Sequence, residues 1–267
     1  MKRNLTAALF FLVSLTAASC SKSIFSNGVP VTESRSIEGA FTSICIYNNV
    51  NVKVVHSDHP HLELTCPENL IDKIVTELSA SGDTLIIKNN NTFNWLRSVD
   101  YSIDLTVYYN NLREITYASI GDLVSADPLK GYPSLYTDTI ITGNDTTYSQ
   151  SYTDIFSLNI IEGSGDINLN FECPVIKNKF SNGTSKLTLS GTAGYAEHVT
   201  RSYGLIDASE LNANIVVVQS NSTNDVYVWA QSLLDVQLFN IGNIYYKGDP
   251  TITIHARTSD GELIPMQ

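Results

Sequence analysis

The sequence predicts an all-β protein of stacked coils with little helix. Three observations carry that reading: a degenerate repeat of about nineteen residues, apolar/polar alternation inside each repeat, and turn-forming residues between repeats. Six segments lie one above another: 161–170 (IEGSGDINLN), 181–190 (SNGTSKLTLS), 200–209 (TRSYGLIDAS), 220–229 (SNSTNDVYVW), 238–247 (LFNIGNIYYK) and 257–266 (RTSDGELIPM). Each puts a turn-prone cluster before an aliphatic residue. Those residues, Ile167, Leu187, Ile206, Val226, Ile244 and Leu263, follow one another at steps of 20, 19, 20, 18 and 19. Gly165, Gly204, Asn224 and Gly242 mark a corner, because Gly and Asn turn the chain at little steric cost. The strand that follows alternates, as in Ile167-Asn168-Leu169, Leu187-Thr188-Leu189 and Val226-Tyr227-Val228. A unit this small buries its apolar face only against the next, so equivalent aliphatics form ladders. A weaker punctuation falls half a coil later, at Glu172-Cys173-Pro174, Gly191-Thr192-Ala193-Gly194, Glu210-Leu211-Asn212 and Gly248-Asp249-Pro250. Two corners per coil predict a flattened, two-sheet solenoid.

The remaining elements follow in chain order. Residues 1–20 have a basic tip (Lys2, Arg3), an apolar stretch and small residues ending at Cys20, the layout of a secretory signal peptide. Cys20 after Ala17-Ala18-Ser19 is lipobox-like, with Ala17 where Leu is usual, and is the candidate lipidation site. Residues 21–34 read as a tether, and 35–267 as a single domain with a less regular half (35–120) and a repeat half (121–267). No later run approaches the ~18 apolar residues of a membrane span. In the first half, Phe41–Ile46, Val50–Val54, Leu62–Leu64, Thr84–Ile87 and Tyr101–Val107 alternate as strands, with a turn at Asn48-Asn49. Leu70, Ile71, Ile74, Val75 and Leu78 recur at helical spacing and predict a turn or two of helix. Ile120-Gly121-Asp122-Leu123 echoes the later corners and is where the solenoid is expected to begin; 131–155 is an irregular coil or an insertion.

Composition narrows the function. The net charge of −11 repels phosphate backbones, which excludes nucleic acid as a partner. With Cys20 assigned to lipid, Cys45, Cys66 and Cys173 remain; a disulfide among them and buried thiols are both open, with thiols the commoner explanation. His56, His59 and His61 with Asp58 could suggest a metal site, but Ser57-Asp58-His59-Pro60 is ordinary turn composition and no metal is expected. Asp166, Asp207 and Asp225 could suggest a carboxylate row. They occupy different repeat positions, and corner residues accepting backbone hydrogen bonds explain them better. No nucleophile elbow, phosphate loop or zinc helix motif is present, so neither catalytic residues nor cofactors are expected. Tyr203, Tyr227, Trp229 and Phe93-Asn94-Trp95 could meet a ligand or simply cover the outer face; cover is the favoured reading, and none is nominated as a site.

A resemblance adds to this reading. Arg35, Phe41-Thr42-Ser43-Ile44, Glu68-Asn69-Leu70-Ile71 with Ile74, Leu85-Ile86-Ile87, Gly163-Ser164-Gly165-Asp166, Ile206-Asp207-Ala208 with Leu211-Asn212-Ala213, Asp225-Val226-Tyr227-Val228 and Tyr246-Lys247-Gly248-Asp249-Pro250 occur in one collinear order. In this the chain resembles the Bacteroidetes envelope family called "putative auto-transporter adhesin, head GIN domain", over roughly residues 35–263. The resemblance implies a right-handed parallel β-solenoid (β-helix) of pectin-lyase-like shape, no catalytic set, and a role in adhesion. This chain replaces most Gly-Ser-Gly corners, for example with Ser202-Tyr203-Gly204 and Asn240-Ile241-Gly242. The combined expectation is a non-catalytic lipoprotein, anchored through Cys20, on the surface or periplasmic face of the outer membrane. Its expected partners are a glycan, a host or envelope protein, or another copy of itself. The competing expectations are a carbohydrate-active β-helix enzyme and a periplasm-facing structural or assembly protein.

Overall fold

The computed structural model describes residues 28–91, 101–142 and 145–266, with 135–152 described by backbone alone. The signal peptide, Cys20, the first part of the tether and Phe93-Asn94-Trp95 lie outside the described residues. The protein is all-β with almost no helix. Its strands are β1 (Pro30–Ser36), β2 (Ser43–Asn48), β3 (Asn51–His56), β4 (His61–Pro67), β5 (Ile74–Leu78), β6 (Thr84–Asn89), β7 (Asp104–Tyr109), β8 (Glu114–Ser119), β9 (Leu123–Ser125), β10 (Tyr132–Thr142), β11 (Asp145–Gly163), β12 (Ile167–Phe180), β13 (Leu187–Thr200), β14 (Ile206–Ser220), β15 (Val226–Leu238), β16 (Ile244–Lys247), β17 (Thr251–Arg257) and β18 (Leu263–Pro265).

Hydrogen bonds join all of these strands but β10, which pairs with β11, into two runs. One is a curled open sheet of eleven, in the order β1-β4-β7-β3-β9-β12-β13-β14-β15-β16-β18. The other is β5-β6-β2-β8-β11-β12-β13-β14-β15-β17. The long strands β12 to β15 belong to both, their first halves to one run and their second halves to the other. The six repeat aliphatics are consecutive partners in parallel register: Ile167 with Leu187, Leu187 with Ile206, Ile206 with Val226, Val226 with Ile244 and Ile244 with Leu263. All but Leu263 are fully buried. Along β12 the buried set is Ile167, Leu169, Phe171 and Cys173, and then, after Val175, Ile176, Asn178 and Phe180; the parity changes where the strand bends from one run into the other.

Corner chemistry holds neighbouring levels together. Ser119 and Ser222 donate their hydroxyls to the carbonyls of Asn48 and Ser202 one level away, while accepting the N–H groups of Gly121 and Asn224 two residues on. One position later, side-chain oxygens accept from the next level: Asn51 from the Asp122 N–H, Asp122 from Asp166, Asp225 from Asn243 and Asn243 from Glu262, at 2.8–3.0 Å. Backbones approach so closely here that a Cβ on Gly121 would lie 2.3 Å from the Val50 carbonyl oxygen, and one on Gly242 2.1 Å from that of Asn224. Glycine is required for contact between levels rather than for turning alone.

Several expectations are corrected. Residues 30–34 do not belong to the tether; they open β1, which pairs antiparallel with β4. Arg35 locks that strand down by donating to the carbonyls of Ile71 and Ile74 and to Thr76 Oγ1, at 2.6–3.1 Å. The helical spacing after Pro67 yields only the 3-10 turn Ile71–Lys73. Ile74, Val75 and Leu78 belong to β5, because pairing with β6 satisfies more of their backbone than a short helix would. Parallel stacking also starts before residue 120: β2 pairs with β6 and β8, and β3 with β7 and β9. Most of the 131–155 stretch is an insertion, the antiparallel hairpin of β10 with the first part of β11. The half-coil punctuation at 172–174, 191–194 and 210–212 does not break strands; the chain bends there while staying extended, with Gly191 at φ +102°.

The described interior is mostly apolar, with buried serines and threonine at the corners and one imidazole–amide pair. His198 and Asn178 are paired neighbours of β13 and β12, both buried, with Asn178 Nδ2 3.3 Å from His198 Nδ1. Asn178 Oδ1 and His198 Nε2 have no partner. Burial pushes the His198 imidazole down to about 4.

Candidate functional site

The aromatic face comes from register. Tyr227 and Tyr245, like Trp229 and Lys247, are partners across the parallel pair β15 and β16, so their side chains stand beside each other off the sheet. The tyrosine rings stack at 4.8 Å with planes 9° apart, and the Lys247 ammonium sits 4.2 Å from the centre of the Trp229 ring while bonding to Glu210 at 2.9 Å. A sugar needs an open ring face to stack on. Here one face of each tyrosine is taken by the other and one face of Trp229 by a cation, which favours cover of the outer sheet over stacking on a sugar. Tyr203 stands apart at a corner tip, 64% exposed.

The other residues weighed from sequence do not converge. His61 stacks on Tyr108 at 4.1 Å with Nδ1 2.9 Å from the His59 carbonyl, whereas His56 meets the edge of Tyr109 at 5.8 Å. Among the described residues no three His, Cys, Asp or Glu side chains form a metal-sized cluster. Asp225 accepts the Asn243 N–H and Asp207 accepts from the N–H and hydroxyl of Ser209, which are structural duties. Cys45, Cys66 and Cys173 are free thiols, not a disulfide. Burial pushes Cys66 and Cys173 up to about 11, so both stay protonated and unreactive near neutral pH.

A concave site also assembles from segments far apart in sequence. A cleft of about 380 Å³ opens where β3 and β7 end, bounded by the connections after β7 and β9 and by β12. Tyr109 and Leu112, buried to within a few per cent, form its apolar floor. His56, Asp127, Lys130 and Glu172 stand on its walls. Asp127 Oδ2 accepts the His56 backbone N–H at 3.1 Å, which ties the β9–β10 connection to the end of β3. Lys130 reaches Glu172 at 4.0 Å, helped by the bridge of Leu129 to Phe171 that sets the two segments side by side. Burial and the nearby Asp127 carboxylate push the Tyr109 phenol up to about 12, so it stays neutral near neutral pH. Of this set only His56 was weighed from sequence as a site residue, and for a different purpose. The faint signal for the rest was the charged run around Asp127 and Lys130 beside a corner.

Among the described residues no helix is long and apolar enough to cross a membrane. The fold is shared with solved proteins at low identity. A putative adhesin from Bacteroides fragilis superposes with a TM-score of 0.73 at 20% identity, covering 89% of this chain and 97% of that one. A putative lipid binding protein from Parabacteroides distasonis gives 0.59 at 20% identity, over 91% and 99%. A putative adhesin from Parabacteroides merdae gives 0.55 at 17% identity, also over 91% and 99%. At such identity the likeness is one of fold. No curated protein matches the chain. The family model described as "putative auto-transporter adhesin, head GIN domain" matches residues 40–250, covering the parallel stack from β2 to β16, and the chain belongs to that family.

Proposed function

We propose that this protein is an exported, lipid-anchored adhesin of the bacterial envelope. In this reading residues 1–20 direct export, Cys20 carries the lipid, and 35–267 form one right-handed parallel β-solenoid with coils of about nineteen residues. The domain binds a glycan or a host or envelope protein without catalysing a reaction. The observation that carries the reading is the match of an adhesin family to nearly the whole parallel stack. Paired residues separated by 18–20 positions support the coil length. Export and anchoring rest on the leader sequence and on the lipobox-like placing of Cys20. A second copy is a further candidate partner, supported by Ile252 and Ile254 on β17, which are 39% and 50% exposed. Light scattering that returns only monomer at high concentration removes that partner.

Proteinase shaving of intact cells tests the reading. Loss of the protein from wild-type cells, and its recovery as a soluble, protease-protected protein in the Cys20→Ala variant, are the expected results. Protection in intact cells with cleavage after outer-membrane permeabilisation would assign it to the periplasmic face, as a structural or assembly protein.

The enzyme reading has one observation in its favour, the meeting of Asp127, Glu172, Lys130 and His56 in the cleft. It ranks second because the Lys130 and Glu172 side chains are 72% and 68% exposed, and solvent screens charges that acid–base catalysis needs in a drier setting. Incubation with polysaccharides, followed by assay of new reducing ends, is expected to show no release. Release abolished by Glu172→Gln would replace the adhesin reading.

A further inference from the structure

We infer that the cleft at the ends of β3, β7 and β9 binds a neutral carbohydrate ring, with Asp127 and Glu172 holding its hydroxyls. This inference rests on the adhesin reading and names the ligand class. The size fits: about 380 Å³ lies in the ~300–1,000 Å³ range of small-ligand clefts. The chemistry of the walls is that of a sugar, apolar on one side and polar around the rim. Exposed Pro128, beside the buried Tyr109 and Leu112, offers a surface for a C–H face, while carboxylates, the Lys130 ammonium and the Asn110 and Asn111 amides surround it with acceptors and donors. A sugar hydroxyl both donates and accepts, so it can be satisfied by such a mixed rim, whereas a purely apolar ligand would strand these groups.

Two details sharpen the assignment. Asp127 uses Oδ2 on the His56 N–H, which orients the carboxylate and leaves Oδ1 to accept from a ligand, so that an acceptor is fixed in place beforehand. The rim holds two carboxylates against one ammonium, and Lys130 is already matched to Glu172 at 4.0 Å. The surplus is negative, on a chain of net charge −11, which repels uronates and sialic acids and favours neutral rings. The aromatic face on β15 and β16 is the weaker candidate for this role, because it does not line this cleft and its rings already meet each other and Lys247.

The test uses the purified mature protein on an array of neutral oligosaccharides ending in glucose, galactose, mannose or N-acetylglucosamine, together with uronate- and sialic-acid-containing ones. The expected result is retention of a neutral glycan, weakened at least tenfold in Glu172→Gln and in Asp127→Asn. Glu172 is mostly exposed, so Glu172→Gln keeps the test valid if Asp127→Asn disturbs the fold. Retention of acidic glycans alone, of no glycan, or of neutral glycans undiminished in Glu172→Gln overturns the inference. Adherence of protein-coated beads to host cells separates the two readings. Wild-type adherence that neither free neutral glycan nor Glu172→Gln reduces overturns the cleft and leaves the adhesin standing. Glycan retention by the cleft without bead adherence overturns the adhesin and leaves the cleft.

Discussion

At the N-terminal end of the stack, β5 lies antiparallel on β6 and β4 on β7, with β1 outside β4, and Arg35 ties this outer layer to the 3-10 turn; Ile87, Leu85 and Leu105 beneath it are buried to within about 1%. At the other end β17 pairs with β15 alone. Its Ile252 and Ile254 continue the ladders of Leu234 and Val236, which are fully buried, yet are themselves 39% and 50% exposed. Register decides which way a side chain points, but only the next level decides whether it is dry. Burial in such a stack belongs to the neighbour as much as to the residue.

The comparison can be broken or sharpened by substitution. The largest effect is expected from Gly121→Ala and Gly242→Ala, one toward each end. Both place a Cβ against a carbonyl oxygen that cannot rotate away, and a loss of about 4 kcal/mol or more in denaturant unfolding is expected for each. A loss at Gly121 alone would mean that the levels near β16 are free to separate. Next, Ile87→Ala should cost about 3 to 4 kcal/mol, and Ile254→Ala less than about 1, since the latter removes atoms already partly in water. Equal costs would show that Ile254 is covered in solution, and would support a second copy on that edge.

A smaller effect tests the polar seam between the two ends. Folded His198 takes up a proton only near pH 4, against 6.5 for an unperturbed imidazole, so between those values the unfolded chain binds more protons. Its contribution is complete above pH 6.5 and is lost as the pH falls to about 4, by about 3 kcal/mol in all. His198→Leu should flatten the stability profile across that window; an unchanged slope would place the titration elsewhere. The smallest effect belongs to Lys247→Ala, which removes a cation from Trp229 and is expected to cost about 0.5–1 kcal/mol with a shift in tryptophan emission.

From Ile167 onward the repeat could be read because nothing interrupts it. From Ile167 to Leu263 the aliphatics recur at the interval that the hydrogen-bond register imposes, so spacing in the sequence and neighbourhood in space coincide. Toward the N-terminus they part company. Asn51 and Asp122 are bonded across 71 positions, and Asp122 and Asp166 across 44, because outer strands and a hairpin are spliced between equivalent levels. The same splicing hid β5 behind a helical spacing and hid the cleft altogether. Asp127, Lys130 and Glu172 meet His56 only after those segments are folded out of the way.

The order of levels also governs the order of assembly. β2 and β3 are made early, yet lie between β6–β7 on one side and β8–β9 on the other, so they have no complete seat until residue 125 has been added. From β12 onward each level needs only the one just delivered, which keeps loop closure short and favourable. The chain therefore lengthens with its first strands waiting and its last strands folding as they come. A chaperone would find its client in the segment before residue 125.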